Sequence, residues 1–354
     1  MESVRNDHNN SKHRHFYDPE WVNVNDLKHG SHYIGTPILN IEENTLNITE
    51  EEAFIIGRYI ADGHTRKDFR TSEGRINDRH WQLILSVGNH KVNEFKKHIS
   101  DFHYTCYPHS KSVHRIVFSN KRLVEIVEAN CGCGAENKHI SMLLLKLPKY
   151  LLKLLVEGYM FGDGSEKDGV FKATTISEEL IMTLNIAISK SFNVNSSYGY
   201  TEREETCVIE ERTVNQNDTY NISFRKEMKK QSTAYVDNDI IWLRFKSVTE
   251  TNLIKKVFNL EVEDDNSYTA NNAIVHNCQS FSFSGKRNGM STIDNIEVLT
   301  LDHYIDLKNK GYEFSGQSYL FWEYVRLLKQ TNRSTKLTYF YASPVFLIHQ
   351  PCNH

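Results

Sequence analysis

Two nine-residue stretches of this chain end alike: IIGRYIADG, from Ile55 to Gly63, and VEGYMFGDG, from Val156 to Gly164. Each sets a carboxylate, Asp62 or Asp163, directly before a glycine at the end of an apolar stretch. Each also carries a small residue four positions after a glycine, Ala61 after Gly57 and Gly162 after Gly158. Residues four apart share one face of a helix, and small ones let two backbones approach closely. If the two small faces pack on each other, Asp62 and Asp163 arrive side by side. Carboxylates so placed repel, and a divalent cation is the obvious compensation. A metal held there could activate a water and stabilise the leaving oxygen of a phosphodiester. Taken singly, an Asp-Gly after an apolar helix is usually a C-terminal stop; two copies at matched spacing are harder to dismiss.

A second set of reactive residues lies in AIVHNCQSFSFSG, Ala273 to Gly285. The side-chain amide of Asn277 can attack its own backbone carbonyl, closing a succinimide and breaking the bond to Cys278. His276 can polarise that carbonyl or protonate the leaving amine. The Cys278 thiolate is a nucleophile for acyl transfer. By contrast CGCGAE, Cys131 to Glu136, has no second close cysteine pair to complete a four-ligand zinc site, and it reads as a tight loop.

The elements that must position these groups follow from pattern. ITEEEAFIIGRYIADG predicts a helix capped by Thr49, with three acidic residues in its first turn and a stop at Gly63. WQLILSV and HRIVF read as strands, KVNEFKKHI and KRLVEIVEAN as helical spacers. LPKYLLKLLVEGYMFGDG predicts a second long helix from near Pro148 to Gly164, followed by the strand GVFKATT and the helix SEELIMTLNIAISKSF. The order helix, strands, helix occurs twice, with a period near 100 residues. From about Ile240 the pattern changes to short strands (IIWLRFKSV, KKVFNLEV, SYTAN, AIVHN), then to a Gly- and Ser-containing loop and the amphipathic helix GQSYLFWEYVRLLKQ. Residues 331–354 show neither period.

The 354 residues predict two or three domains, and 39% hydrophobic with 25% charged residues is an ordinary soluble balance. No apolar run reaches the roughly 18 to 20 residues that span a bilayer. The polar N-terminus and six cysteines without a disulfide-like framework set the expectation of a reduced, cytoplasmic protein without a membrane partner. The net charge is −3, yet Arg58 to Arg122 holds 13 Lys and Arg against 6 Asp and Glu. Such a local excess can offset phosphate charge, or it can be a solvated basic face.

The paired Asp-Gly helices resemble the LAGLIDADG homing endonucleases in their single-chain form, over roughly residues 50 to 240. The resemblance implies an α+β fold with a duplicated αββαββα core, whose β-ribbons straddle the major groove of double-stranded DNA. It implies a monomer that cuts both strands with Mg²⁺, with Asp62 and Asp163 as the metal-binding acids. ENKHISMLLLKLP resembles the block that supplies a basic catalytic residue, which places Lys138 in that role; a plain surface lysine is the alternative. Ser141 stands where that block usually has proline.

VFNLEVEDDNSYTANNAIVHNC resembles the C-terminal splicing blocks of inteins, which implies short strands of a Hint-type domain ending at His276, Asn277 and Cys278. EWVNVNDLKHGSHYIGTPI resembles the segment joining an intein's N-terminal splicing half to its endonuclease. Ser3, Ser11 and the His13/His15 pair lack the surroundings of the first splicing block. The expectation is therefore Asn277 cyclisation, or splicing with a separately encoded N-terminal fragment. CQSFSFSGKRNGM resembles the catalytic block of DNA cytosine-5 methyltransferases, in which Cys278 would be the nucleophile after splicing. An α/β fragment of that enzyme would need S-adenosylmethionine only once complete. The expected organisation is 1–47 linker, 48–240 endonuclease, 241–277 splicing segment, 278–330 methyltransferase fragment and 331–354 irregular tail. The competing readings are a methyltransferase precursor activated by splicing and an inactive remnant.

Overall fold

The computed structural model describes residues 18–72, 75–204, 206–209, 212–228, 233–249, 267–276, 292–294, 296, 298, 300–314 and 345–349. In chain order the elements begin with β1 (Glu20–Asn23) and β2 (Tyr33–Pro37). There follow α1 (Glu50–Asp62), β3 (His64–Ser72), β4 (Arg75–Gly88), α2 (Val92–Lys97), β5 (Thr105–Pro108), β6 (Val113–Phe118) and α3 (Lys121–Cys131). A short α4 (Met142–Leu145) leads to α5 (Lys149–Asp163), β7 (Ser165–Lys167), β8 (Val170–Thr175), α6 (Glu178–Phe192) and β9 (Ser196–Thr201). Then come β10 (Thr206–Ile209), β11 (Arg212–Asn215), β12 (Thr219–Phe224), β13 (Ala234–Asp237) and β14 (Ile240–Arg244). The chain closes with β15 (Ser267–Ala270), β16 (Ala273–His276), α7 (Leu301–Asn309) and β17 (Val345–His349). Two compact units result, Ile38–Ile241 and the combination of Met1–Pro37 with Trp242–His354.

The Ile38–Ile241 unit is a duplication. Its two four-stranded antiparallel sheets have the orders β3-β4-β6-β5 and β7-β8-β12-β9. Counted within each copy, both read first, second, fourth, third. The copies are not identical: the second carries the extra hairpin β10/β11 between its third and fourth strands. The helix closing the first copy, α3, also has no counterpart after β12 among the described residues.

Local chemistry explains where α1 begins. Thr49 caps it by accepting from the Glu52 amide at 3.2 Å, and the Glu52 carboxylate accepts from the Thr49 amide at 3.1 Å. Such a cap contributes about 1 kcal/mol, and Glu50, Glu51 and Glu52 complement the positive end of the helix dipole. Arg122 of α3 ties Glu52 to the carbonyls of Leu46 and Asn47, fixing the entry to the helix.

The central contact is α1 against α5, made through glycine. A Cβ on Gly57 would fall 1.9 Å from the Leu155 carbonyl oxygen, and one on Gly158 would fall 2.2 Å from that of Phe54. No side chain fits there, so the helices meet backbone to backbone. Around this contact Phe54, Ile56 and Ile60 of α1, Leu83, Leu85 and Val87 of β4, and Leu152, Leu155 and Val156 of α5 join one apolar core shared by both copies.

In the other unit, β14, β2, β17, β16 and β15 are successive neighbours in a sheet, with β1 also pairing β17. The β15/β16 hairpin turns on Asn271 and Asn272, both at positive φ, as a tight two-residue turn requires. The strands at IIWLR, SYTA and AIVH fall within the stretches expected to be short strands. VFLIH, inside the stretch expected to be irregular, corrects that expectation. β17 pairs with β1, β16 and β2, and it is this pairing rather than any period within its five residues that marks it as a strand. Helix α7 was also not expected: Thr300 caps it, and Leu301, Tyr304 and Leu307 pack with Val298. KKVFNLEV, CQSFSFSGKRNGM and GQSYLFWEYVRLLKQ lie outside the described residues.

Adding one methyl at the helix crossing tests this packing. Gly57→Ala or Gly158→Ala should lower stability by at least about 2 kcal/mol in urea titrations. Gly199→Ala, whose Cβ meets nothing within 4 Å, should be neutral within about 0.5 kcal/mol.

Candidate active site

The glycine contact carries the ends of α1 and α5 together. Ala61 Cβ lies 2.5 Å from where a Cβ on Gly162 would stand, so the small residues face each other as their spacing predicts. Asp62 and Asp163 are the last residues of their helices. Loss of water around them pushes both carboxyls above the ordinary carboxylate range, and the negative charge of Asp62 pushes Asp163 further. Arg58 and Lys138 oppose the shift at both.

Lys138 is buried, 5% exposed, which removes the surface-lysine alternative. Its Nζ donates to the carbonyls of Tyr59 at 2.8 Å and Gly63 at 3.2 Å, capping the C-terminal turn of α1 beside Asp62. It also sits 3.2 Å from the centre of the Tyr59 ring, a cation–π contact. Burial lowers the ammonium to about 8, against the opposing pull of the nearby cysteines and both aspartates. The loop that delivers it is tight, as CGCGAE suggests. Gly132 and Gly134 have positive φ, and the Lys138 carbonyl accepts from Ser177 Oγ at 2.7 Å. Cys131 is fully buried, with its thiol pushed up to about 12, and the exposed Cys133 has Sγ 3.6 Å from the Tyr59 hydroxyl.

Sequence reasoning missed Arg58. It is 2% exposed, and its Nη2 donates to Asp62 and to the Ser86 carbonyl, the latter at 2.9 Å. The signal was available, since an arginine four residues before an aspartate shares its helix face. Lys91, also missed, donates to the Phe161 carbonyl at 2.8 Å one residue before Gly162, and its charge reaches Asp163.

Among the described residues no group of three or more His, Cys, Asp or Glu could hold a metal ion by itself. The donor set is two hard carboxylate oxygens sources at a partly open position. That fits Mg²⁺, which is commonly bound by one or two carboxylates and completes its shell with water and substrate phosphate.

The sheets present contrasting faces. Leu83, Leu85 and Val87 of β4 point into the core, so Gln82, Ile84 and Ser86 lie on the opposite face, where Ile84 is itself buried. Register places Arg66 of β3 opposite Gln82, His64 opposite Ile84, Arg115 of β6 opposite Ser86, and Tyr107 of β5 opposite Arg115. That face is basic, and the charges of Arg115 and Lys138 add to burial in lowering His64. In the second sheet the corresponding face carries Lys172, opposite Ser223, beside neutral polar side chains. Thr174 donates to Asn221 Oδ1 at 2.8 Å, and Asn221 donates to Thr201 Oγ1 at 2.9 Å.

Of the other reactive set, His276 ends β16 with its Cα opposite Ser267 and Val345. Asn277 and Cys278 lie outside the described residues. No helix among the described residues is long and apolar enough to cross a membrane.

No protein-family model matches the chain. It is 27% identical over 256 residues to the ATP-dependent DNA helicase Hel308 of Thermococcus kodakarensis, covering 66% of this chain and 22% of that protein. It is 25% identical over 277 residues to an iron–sulfur cluster assembly SufBD family protein of Mycobacterium tuberculosis, covering 74% and 31%. With a DNA polymerase of Thermococcus sp. it shares 24% identity over 151 residues, 42% of this chain and 8% of the polymerase. The chain thus spans less than a third of the length of these curated relatives. Among solved structures, I-DmoI in complex with DNA and Ca is 10% identical, with a TM-score of 0.34, over 51% of this chain and 84% of that one. The homing endonuclease I-WcaI bound to its DNA recognition sequence is 14% identical, with a TM-score of 0.30, over 50% and 76%. Likeness at that level decides nothing about fold or activity.

The lowered Lys138 predicts a pH dependence. Between about pH 8 and 10.5 the unfolded chain holds a proton on this lysine that the folded protein has released. Its contribution to stability therefore rises with pH across that window and is lost as pH falls through 8. Urea titrations of the wild type and Lys138→Met at several pH values should show the difference moving in favour of the wild type over this range.

Proposed function

We propose that residues 48–240 are a site-specific DNA endonuclease that makes double-strand cuts with Mg²⁺ held by Asp62 and Asp163. The observation that carries this reading is the meeting of two carboxylates at the packed ends of duplicated helices, beside a buried lysine whose ammonium is lowered to about 8. When bound, the metal supplies Lewis acidity at a phosphate and a more acidic water. Lys138, neutral above about pH 8, is placed to accept a proton at Nζ. The basic face bearing Arg66 and Arg115 suits phosphate contacts. The polar Thr174, Asn221 and Thr201 face of the other sheet suits hydrogen bonds to base edges in the major groove.

The curated relatives support a self-contained module. A helicase, an iron–sulfur assembly protein and a DNA polymerase have no activity in common, yet each resembles this chain over a minor share of its length. The shares of this chain matched by the first two, 66% and 74%, must overlap. One inserted element in different hosts gives this pattern, and the host here would be a DNA cytosine-5 methyltransferase. The natural target is then the methyltransferase gene lacking the insertion.

The same reading gives residues 241–277 a splicing role. It is supported by a sheet in which β2, from the N-terminal segment, and the β15/β16 hairpin ending at His276 lie together. In this role His276 assists Asn277, and Cys278 is the acceptor thiol and later the methyltransferase nucleophile.

Incubated with Mg²⁺ and a plasmid carrying the joined gene, the protein should linearise it and spare the plasmid that holds the insertion. Asp62→Asn and Asp163→Asn should each reduce double-strand cutting by about 10²-fold or more; full cutting by either variant would remove that aspartate from the metal site. For the junction, intact-mass measurements should show slow release of the segment beginning at Cys278, abolished in Asn277→Ala. One unchanged mass over days at mild pH would argue against a reactive Asn277.

A further inference from the structure

The two helices differ at the residue four positions before the terminal aspartate. In α1 it is Arg58, whose Nη2 lies 2.8 Å from Asp62 Oδ1 and 3.0 Å from Oδ2. In α5 it is Tyr159, a buried neutral side chain whose hydroxyl has no hydrogen-bond partner among the described residues. Asp163 correspondingly makes no side-chain hydrogen bond or ion pair within that set. We propose that Arg58 is a positioning residue that holds Asp62 as an internal ion pair, so that a divalent cation is taken first by Asp163. The inference rests on the reading of both aspartates as metal ligands and goes beyond it by making them unequal.

Several features hold this arrangement in place. Arg58 is 2% exposed, so its charge has no route to bulk water and depends on Asp62 and the Ser86 carbonyl. A cation approaching Asp62 must share the carboxylate with a charge already in contact with both oxygens, whereas at Asp163 the charges of Arg58, Lys138 and Lys91 act without a side-chain contact. Nε and Nη1 of Arg58 have no hydrogen-bond partner among the described residues, so the hydrogen bonds that hold the guanidinium run through Nη2. Gly162 provides the space. A Cβ there would lie 1.8 Å from Arg58 Nη1, and the matching position of the other helix is Ala61. Arg58 with Gly162, against Tyr159 with Ala61, is thus a paired departure from the symmetry of the repeat. The Arg58 guanidinium also lies 5.8 Å from the Phe161 ring centre, which flanks it on the α5 side.

Mn²⁺ uptake by the full chain, followed by electron paramagnetic resonance without DNA, tests this independently of cutting. The wild type should bind one Mn²⁺, at least about tenfold more weakly in Asp163→Asn and within about twofold of wild type in Asp62→Asn. Arg58→Met should bind Mn²⁺ at least about tenfold more tightly or take a second ion, and Arg58→Lys, which keeps the charge, should remain near wild type. Gly162→Ala, which displaces Nη1, should move in the direction of Arg58→Met and serves where that variant does not fold, as judged by thermal unfolding. Equal weakening in the two aspartate variants, an unchanged isotherm in both folded Arg58→Met and Gly162→Ala, or no uptake by the wild type would overturn the proposal. An asymmetric isotherm in a protein that cuts no DNA sinks the nuclease reading and leaves this one standing. Cutting with a symmetric isotherm does the reverse.

Discussion

Everything distinctive in the Ile38–Ile241 unit depends on how closely α1 and α5 approach. Two glycines, one on each helix, put carbonyl oxygens where side chains normally stand. Backbone contact of that kind cannot slide by half a turn without driving a Cβ into a carbonyl, so it fixes the register as well as the distance. Fixed register is what makes Asp62 and Asp163 neighbours. A looser crossing, with leucine-sized residues between the helices, would separate the axes by the usual 8–10 Å and set the carboxylates apart.

Closeness has an electrostatic consequence. Two carboxylates brought together and partly dehydrated favour their protonated forms, and the protein offsets this with two buried cations rather than with water. The cations are unlike. Arg58 cannot give up its proton and stays charged, so it is a permanent counter-ion bound to one acid. Lys138 can, and burial brings that event to about pH 8. Its contacts to the Tyr59 and Gly63 carbonyls place it in the negative end of the α1 dipole, which favours the charged form. Dehydration nevertheless dominates, because the lysine remains lowered with two aspartates and a helix end beside it.

Much of this was legible because the decisive signals are local. Thr49 with Glu52 marks the start of α1, Gly63 and Gly164 mark the ends, and small residues four apart mark the contact face. The duplication showed in the same way, as two similar strings about 100 residues apart. What escaped depends on tertiary partners. The burial of Lys138 follows from Ser177 holding its carbonyl and from Tyr59 lying under its ammonium, at separations that no window spans. β17 was missed because VFLIH is a short apolar run, whose period cannot tell a strand from a buried helical segment. Arg58 was the avoidable omission, since it stands four residues before Asp62 on the same helix face.

A duplicated chain in one polypeptide is free to let its halves diverge, and this one has done so at each level that touches the site. The sheets keep the same strand order but carry different side chains on the face away from the core, Arg66 and Arg115 in the first and Lys172 with Thr174, Asn221 and Thr201 in the second. The second copy gains the β10/β11 hairpin. At the helix ends the divergence is chemical: arginine against tyrosine, glycine against alanine. These last substitutions are coupled, because the guanidinium occupies the volume that a Cβ at residue 162 would need. A homodimer of identical half-sites could not hold this arrangement, since each copy would place an arginine against the other's alanine. The fused repeat therefore does more than link two halves: it permits one site in which symmetric helices carry asymmetric charge.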